Sequence, residues 1–153
     1  MLDYNLAMNT IFERTITNEL HSLESLTNAS TNFLEDNSVD PQAVYRINLA
    51  LEELITNTIK HGYDDYDPHN IDVRLEVRED EILATIKDDG HPFNPVAPQQ
   101  IANTQKVSLE QRPIGGLGLQ LIKKMLTEMV YRREGDWNIL EVKMLRKLPT
   151  SAT

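Results

Sequence analysis

A glutamate and an asparagine four residues apart are the first side chains in this chain that suggest chemistry. Glu53 and Asn57 lie in a long stretch with helical periodicity, and side chains four residues apart share one surface of a helix. A carboxylate beside an amide can orient a nucleophile or hold a hard cation such as Mg²⁺, which also keeps waters and substrate phosphates. The alternative is an ordinary solvated face, which amphipathic helices commonly have.

A second candidate is the carboxylate of Asp88, at the end of an alternating apolar and polar stretch. It begins the pattern Asp-x-Gly-x-x-Phe, which includes Gly90 and ends at Phe93. A carboxylate at a strand end can accept a hydrogen bond from a ligand amino group, and a glycine beside it lets backbone approach the ligand closely. The alternative is a simple turn, because Asp, Gly and Pro are the usual turn residues.

A third candidate is the pair Gly116 and Gly118, which lie on either side of Leu117 where a helix is predicted to begin. Backbone N–H groups at a helix N-terminus attract anions, so this segment suits a polyphosphate. It is not a Walker motif, since Lys and Ser or Thr do not follow at the required spacing. It does not follow a strand either, as a dinucleotide fingerprint requires. The alternative is a flexible hinge.

The first half of the chain must supply the helix that carries Glu53. A β-branched stretch near the N-terminus predicts a short strand. A capping Asp40 followed by Pro41 predicts a helix start, and Gly62 predicts its end. The predicted elements are a strand over residues 10–17, a helix from the cap Asn18 to about residue 36, and a helix from Pro41 to His61.

The second half of the chain must place Asp88 and the glycines. Alternating stretches predict a hairpin before Asp88 and another near the C-terminus, with a long non-periodic connection and one helix between them. The predicted ranges are strands over 71–77 and 82–86, a connection over 89–118, a helix over 117–126, and strands over 130–133 and 139–145. This order predicts an α+β fold, a two-layer sandwich whose mixed, mainly antiparallel sheet is covered on one face by helices.

Composition limits the classes of protein that this chain can represent. With 153 residues, 40% of them hydrophobic, we expect a single domain over residues 1–148 and a disordered tail over residues 149–153. The chain has no cysteine, which excludes disulfides and thiolate metal sites. The net charge of −9 argues against nucleic acid as the main partner. We find no signal peptide or membrane-spanning stretch, and we therefore expect a cytoplasmic protein.

The three candidate motifs together, in this order, resemble the N, G1 and G2 boxes of the GHKL ATPases, which use the Bergerat ATP-binding fold of histidine-kinase-type ATPase domains. Within that superfamily the chain looks like the anti-sigma-factor serine/threonine kinases, the RsbW-like branch. The closer resemblance is carried by LEELITNTIKHGY at residues 51–63, DDGHPFNP at 88–95 and GGLGL at 115–119. It extends from about residue 11 to residue 148.

The resemblance implies a role for each candidate residue. Glu53 would be the general base, and Asn57 would coordinate the Mg²⁺ that bridges the ATP phosphates. Asp88 would accept the adenine amino proton, with Gly90 allowing close approach of the base. The remaining implied roles are an ATP lid over residues 93–114 and phosphate contacts from Gly116, Leu117 and Gly118. From their positions in the sequence, we expect Lys60 and Arg112 to add positive charge near the phosphates. His61 is expected to be structural.

The resemblance also implies an activity and its partners. The expected reaction is transfer of the γ-phosphoryl group of ATP to a serine or threonine, with catalysis mainly by positioning and charge stabilisation. The implied acceptor is an anti-anti-sigma factor, a STAS-domain protein that competes with a sigma factor for the kinase, and the kinase is expected to be a homodimer. Neither nucleic acid nor membrane is an expected direct partner.

One departure and several alternatives stay open at this point. Many members of the superfamily place a Thr near the nucleotide on a late strand, whereas residues 137–142 contain none. A catalytically silent, ATP-gated regulator that sequesters a partner would have the same fold. A histidine-kinase catalytic domain would need a phosphoacceptor histidine on a dimerisation helix, and none of the four histidines has that setting. Gyrase-like and chaperone-like ATPases carry further domains.

Overall fold

The fold is an open five-stranded sheet packed against three helices. The structure is a computed structural model and describes residues 9–96 and 116–148. The elements in chain order are β1 (Ile11–Thr17), α1 (Ser22–Asp36), α2 (Pro41–His61), β2 (Asn70–Val77), β3 (Glu81–Asp88), α3 (Gly116–Met125), β4 (Glu128–Glu134) and β5 (Trp137–Leu145). The expectations of one domain over 1–148 and a disordered tail over 149–153 stay predictions, since residues 1–8 and 149–153 lie outside the described ranges.

The sheet has the strand order β1-β2-β3-β5-β4, and every pairing among the described strands is antiparallel. Alternation places one set of side chains of each strand under the helices. On β2 the buried set is Ile71, Val73, Leu75 and Val77, while Asp72 on the opposite face is exposed. This arrangement confirms the predicted α+β sandwich with helices on one face.

Helix α2 is the central element of the helical layer. Pro41 occupies its first turn, where a missing N–H costs nothing. The apolar side chains of α2 share one face, and Val44, Ile47 and Ile55 are all buried in the core. Burying such side chains stabilises the fold by about 1.5–3 kcal/mol each. The opposite side of α2 is left available to carry polar groups.

Helix α1 begins later than predicted. Its first residue is Ser22, and Asn18 does not cap it. Instead the Asn18 side-chain oxygen accepts a hydrogen bond from the backbone N–H of His69 at 2.9 Å, and the Asn18 N–H donates to the His69 carbonyl at 3.0 Å. The prediction of Asn18 as a cap was wrong because this tertiary partner satisfies its side chain.

The predicted hairpin near the C-terminus is confirmed. Strands β4 and β5 are longer than predicted, and their last pair is Glu134 with Trp137. The two-residue loop between them includes Gly135, whose φ is +57°. This left-handed conformation is easy for glycine and rare for other residues. Tight closure of this loop brings the end of β4 beside the start of β5.

Candidate functional site

Two of the three sequence motifs meet where α2 faces α3. Gly118 on α3 lies against the side chain of Glu53 on α2. A Cβ atom on Gly118 would stand 2.5 Å from the Glu53 carboxyl carbon and 2.9 Å from its Oε2. No side chain fits in that space unless the carboxylate moves. Gly118 therefore permits α3 to lie close to the Glu53 carboxylate. Its expected contact with phosphates stays a prediction.

The Glu53 carboxylate is poorly satisfied by the protein itself. Its Oε1 is buried and has no hydrogen-bond partner among the described residues. An unsatisfied buried acceptor typically costs about 1–3 kcal/mol, and such groups in native proteins call for a functional explanation. The neighbouring Glu52 is exposed. The site therefore holds one carboxylate oxygen ready to accept a proton or bind a cation.

Asn57 lies one turn beyond Glu53 on α2 and is half-buried, while Lys60 and His61 are exposed. An amide oxygen and a carboxylate oxygen one turn apart form a donor set that suits Mg²⁺. Within residues 9–96 and 116–148, no group of three or more His, Cys, Asp or Glu side chains could hold a metal by itself. A magnesium ion here would need waters or phosphate oxygens to complete its shell.

Asp88 is buried at the end of β3, with 6% of its surface exposed. Its Oδ1 accepts hydrogen bonds from the Gly90 backbone N–H and from the Asn138 side-chain Nδ2, both at 2.9 Å. Both bonds end on the same oxygen. The arrangement leaves Oδ2 without a bond from these two groups and able to accept one from a ligand.

Burial raises the pKa of Asp88 above its ordinary value of 3.8, because a charged carboxylate is poorly solvated there. The hydrogen bonds from Asn138 and Gly90 lower that pKa, and the charge of Asp89 raises it again. Arg133 lowers it by favouring the carboxylate. Buried carboxyl groups with a shifted pKa cluster at functional sites, so Asp88 has the environment of a recognition group.

Gly90 has a second role that the sequence did not reveal. A Cβ on Gly90 would stand 2.8 Å from the backbone oxygen of Gly62 and 3.0 Å from Asp88 Oδ1. The next N–H, that of His91, donates to the same Gly62 oxygen at 2.8 Å. Gly90 thus joins the end of α2 to the end of β3. Close approach of a ligand base to Gly90 stays a prediction.

Asn138 on β5 is the functional candidate that sequence reasoning missed. It is buried, with 7% exposed, and pairs directly with Asp88 across the sheet. The Asn138 side chain contacts Asp88, Gly90 and His91 as a donor and Tyr131 and Arg133 as an acceptor. The absence of a Thr in residues 137–142 drew attention to this stretch, and a lone Asn in an apolar strand was the available signal.

The connection from α2 to β2 forms the rim beside Asp88. Tyr63 stacks on His69 with ring centroids 4.3 Å apart. His69 Nε2 lies 2.7 Å from Asp65, and its Nδ1 lies 3.2 Å from Asp89. The carboxylates raise the pKa of His69 and, conversely, His69 lowers that of Asp65. The Tyr63 hydroxyl is buried and without a partner in the described part, and desolvation with the charges of Asp88 and Asp89 raises its pKa.

The structure places these predicted residues beside α2 and at its C-terminal end. Glu53 and Asn57 lie on α2, Gly118 lies across from Glu53, and Asp88 and Gly90 lie where α2 ends. Gly116 and Leu117 are the first two residues of α3. Arg112 and residues 97–114 of the expected lid lie outside the described ranges.

Among the helices that the structure describes, none has the length and apolar character needed to cross a membrane.

Comparison with known proteins agrees with this layout. The family model described as a histidine kinase-like ATPase domain matches residues 16–144. Relatives include a serine-protein kinase RsbW of Listeria monocytogenes serotype 4a (strain HCC23), 31% identical over 97 residues, which are 61% of this chain and 62% of the relative. The RsbW of Bacillus velezensis (strain DSM 23117 / BGSC 10A6 / LMG 26770 / FZB42) is 28% identical over 65% of this chain and 63% of the relative.

A third relative is the serine/threonine-protein kinase BtrW of Bordetella bronchiseptica (strain ATCC BAA-588 / NCTC 13252 / RB50). It is 26% identical over 63% of this chain and 66% of the relative. The chain thus spans less than two thirds of the length of these curated relatives. The family match covers most of the chain, including α2, β3 and α3. The chain belongs to the histidine kinase-like (GHKL) ATPase domain family, and the RsbW and BtrW kinases are proteins to which it is similar.

Proposed function

We propose that this protein is an ATP-dependent serine/threonine protein kinase that acts on an anti-anti-sigma partner with a STAS domain and so regulates the availability of a sigma factor. The observation that carries the proposal is the buried, unpartnered Oε1 of Glu53 against Gly118. A carboxylate with a free acceptor oxygen suits a general base better than a structural ion pair. Family membership supports ATP as the phosphoryl donor, and the names of the relatives support serine as an acceptor.

In the proposed reaction the acceptor hydroxyl oxygen attacks the γ-phosphorus of ATP. The bond from that phosphorus to the β–γ bridging oxygen breaks, and ADP leaves with the electron pair. The hydroxyl proton passes to Glu53. Asn57 would hold Mg²⁺, which when bound neutralises phosphate charge. The protein supplies mainly position, since α2 carries both residues one turn apart.

We assign recognition of the adenine base to one end of the site and recognition of the phosphates to the other. Asp88 would accept from the adenine amino group, beside Gly90. Backbone N–H groups of α3 from Gly116 to Gly118 would bind the phosphates, because a helix N-terminus carries partial positive charge. Lys60 and Arg112 are proposed to add charge there. Local dipoles and cations of this kind allow an acidic chain of net charge −9 to bind a polyanion.

The partners and setting are proposals of the same kind. We infer a homodimer in the cytoplasm that binds either a sigma factor or the unmodified STAS-domain protein. Phosphorylation of the latter would release it, because two added negative charges face an acidic kinase. Direct contact with nucleic acid or membrane is not part of the proposal.

The test is phosphotransfer from γ-labelled ATP with Mg²⁺ into small proteins of the source organism's lysate. We expect wild-type protein to label one small band. Glu53→Gln keeps the shape of the side chain and removes its basicity, so labelling should slow by about 10²-fold or more. Glu52→Gln is the matched control, since Glu52 is adjacent and exposed, and its rate should stay near that of wild type.

Asp88→Asn separates nucleotide binding from chemistry. It replaces one acceptor oxygen by a donor, so ATP binding and labelling should both be lost. ATP binding by wild type without any labelled band would contradict the kinase and favour an ATP-gated regulator that sequesters its partner. Failure of wild type to bind ATP at all would contradict both functions. Equal rates for Glu53→Gln and Glu52→Gln would remove Glu53 from the base position.

A further inference from the structure

The side-chain amide of Asn138 donates hydrogen bonds from Nδ2 and accepts them at Oδ1. Acceptors lie beside Nδ2 and donors lie beside Oδ1. Nδ2 lies 2.9 Å from Asp88 Oδ1, 3.2 Å from the Gly90 carbonyl and 2.9 Å from the His91 carbonyl. Because Nδ2 has only two hydrogens, the three acceptors must share them. All the groups on this side can only accept, provided that Asp88 is ionised.

The other side of the amide is surrounded by donors. Asn138 Oδ1 accepts from the Tyr131 hydroxyl at 2.6 Å and from Arg133 Nη1 at 3.0 Å. Arg133 cannot accept a hydrogen bond. If the amide were flipped, the Asn138 NH₂ group would point at the Arg133 N–H, and neither could accept from the other. Arg133 Nη1 also donates to the Gly90 carbonyl at 2.8 Å. Strand β4 therefore locks the orientation of a side chain on β5.

The locked amide acts on one oxygen of Asp88. It occupies Oδ1 together with the Gly90 N–H, and it pairs with Asp88 directly across β3 and β5. A carboxylate held by one oxygen keeps its plane and presents the other oxygen in a fixed direction. This is the kind of support that a recognition group needs from its neighbours, since small errors of placement weaken binding strongly.

We propose that Asn138 is the positioning residue for base recognition: it fixes Oδ1 of Asp88 so that Oδ2 accepts from the amino group of an adenine-type base. This inference rests on the proposed ATP-binding function and extends it to a residue outside the three motifs. Residues 137–142 contain no Thr, and the polar side chain that this strand presents to Asp88 is Asn138.

The proposal predicts an effect on base selectivity as well as on affinity. Inosine triphosphate carries a carbonyl where ATP carries its amino group. An ionised Asp88 cannot donate to that carbonyl, whereas a protonated one can. Besides burial, the groups that set the charge of Asp88 are Asn138, the Gly90 N–H, Asp89 and Arg133. The Tyr63 hydroxyl also faces Asp88, and the charge of Asp88 raises the pKa of Tyr63. Removing the Asn138 donor leaves burial and Asp89 to favour the protonated form.

The experiment compares Asn138→Val with Asn138→Thr in the full chain. The two variants have the same shape and β-branching, and only Asn138→Thr introduces a hydroxyl that can donate to Asp88. Titration calorimetry with ATP and with inosine triphosphate should show about a tenfold or larger loss of ATP affinity for Asn138→Val. Its preference for ATP should also shrink. Asn138→Thr should recover most of both losses.

A pH series provides the readout that a purely structural role would not change. ATP binding should weaken as pH falls and Asp88 becomes protonated. In Asn138→Val this loss should begin at higher pH than in wild type, because the bond that lowers the pKa of Asp88 is gone. In Asn138→Thr it should begin near the wild-type pH.

Several results would overturn the inference. Equal losses in Asn138→Val and Asn138→Thr, with unchanged nucleotide preference and pH profile, would reduce Asn138 to a packing role. Wild-type behaviour of Asn138→Val would do the same. Absence of ATP binding by wild type would overturn the proposed function as well, so the two failures are distinct. The smaller pair Asn138→Ser and Asn138→Ala repeats the comparison if Asn138→Val does not fold.

Discussion

Gly118 has only a hydrogen where any other residue would have a Cβ, and Glu53 occupies the space beside it. Gly118→Ala should therefore push the Glu53 carboxylate aside, since the end of a flexible side chain yields more easily than backbone. Alanine is the better helix former by about 1 kcal/mol, so the thermal stability should hold or rise. Phosphotransfer should fall by about tenfold or more, because the base is displaced from the hydroxyl.

The measurement pairs thermal unfolding with phosphotransfer rates. Gln120→Ala is the control, as Gln120 is exposed on the same helix, and its rate should match that of wild type. Loss of folding in Gly118→Ala would mean that the contact with Glu53 is rigid packing. An undiminished rate would mean that Glu53 acts from some other position.

At the scale of single residues, the sequence suggested candidate ligand-binding groups, which stay predictions, and missed the side chain that supports one of them. Glu53, Asn57 and Asp88 were predicted from type and spacing, and the structure places Glu53 against Gly118 as two motifs brought together. Asn138 was missed because its partners Tyr131 and Arg133 lie on another strand. Hydrogen bonds between distant segments leave no local pattern.

At the scale of elements, the connection between α2 and β2 carries its own ion pair. The carboxylates of Asp65 and Asp89 raise the pKa of His69 above its ordinary value of 6.5. A raised folded-state pKa means that the stabilisation is complete below the ordinary value and is lost as pH rises through the folded value. The free energy of unfolding should therefore decrease across that window.

His69→Phe tests this account, because it keeps the aromatic stacking on Tyr63 and removes the titration. Urea unfolding at about pH 6 and at about pH 8.5 should show a smaller difference for His69→Phe than for wild type. His21→Phe is the control, since His21 is exposed near the start of α1 and its imidazole lies 3.2 Å from Glu19 alone. A wild-type difference that survives in His69→Phe would assign the pH dependence to other groups.

Elements were predicted well where the signal is local and less well where it is not. Helix α2 was predicted at both ends, since Pro41 and Gly62 are strong local signals. The start of α1 was misplaced, because Asn18 has the residue type of a cap but bonds to the backbone of His69. An Asn that caps a helix and an Asn that bonds to a distant segment look the same in the sequence. Only the folded chain distinguishes them.

At the scale of the whole molecule, stability comes from the layer between the helices and the sheet, and the candidate site lies at the margin of that layer. Leu75 is fully buried on β2. It lies four residues from Ile71, which is about 13 Å along the strand. Ile71 is the residue that pairs with Asp88, so Leu75 is distant from the candidate site. Leu75→Ala should lower the free energy of unfolding by about 2–5 kcal/mol. Affinity for ATP should stay unchanged at temperatures where the variant is folded.

Denaturant unfolding and calorimetry check the two parts separately. Glu76→Ala is the neighbouring control on the other face of β2, where Glu76 makes half-exposed ion pairs with Arg74 and Arg78. Such pairs contribute about 1 kcal/mol or less, so this variant should remain close to wild type. Reduced ATP affinity in folded Leu75→Ala would show that the core and the site are not independent.

The fold class followed from alternation and from the order of helices and strands, and the structure confirms it. The strand order β1-β2-β3-β5-β4 did not follow, because it depends on which long-range edges pair. That order matters for the site, since it places β5 beside β3 and therefore Asn138 beside Asp88. A residue's neighbours across a sheet are decided by topology, which no local stretch of sequence contains.

The open sheet has one further consequence, for behaviour at high protein concentration. Its outer strands in the described part are β1 and β4, each paired on one side only. Exposed edges invite strand addition between molecules, and charged side chains oppose it. Strand β1 contains Glu13 and Arg14, and β4 contains Arg132 and Glu134. The charges that look incidental on these strands act as protection against edge-to-edge aggregation.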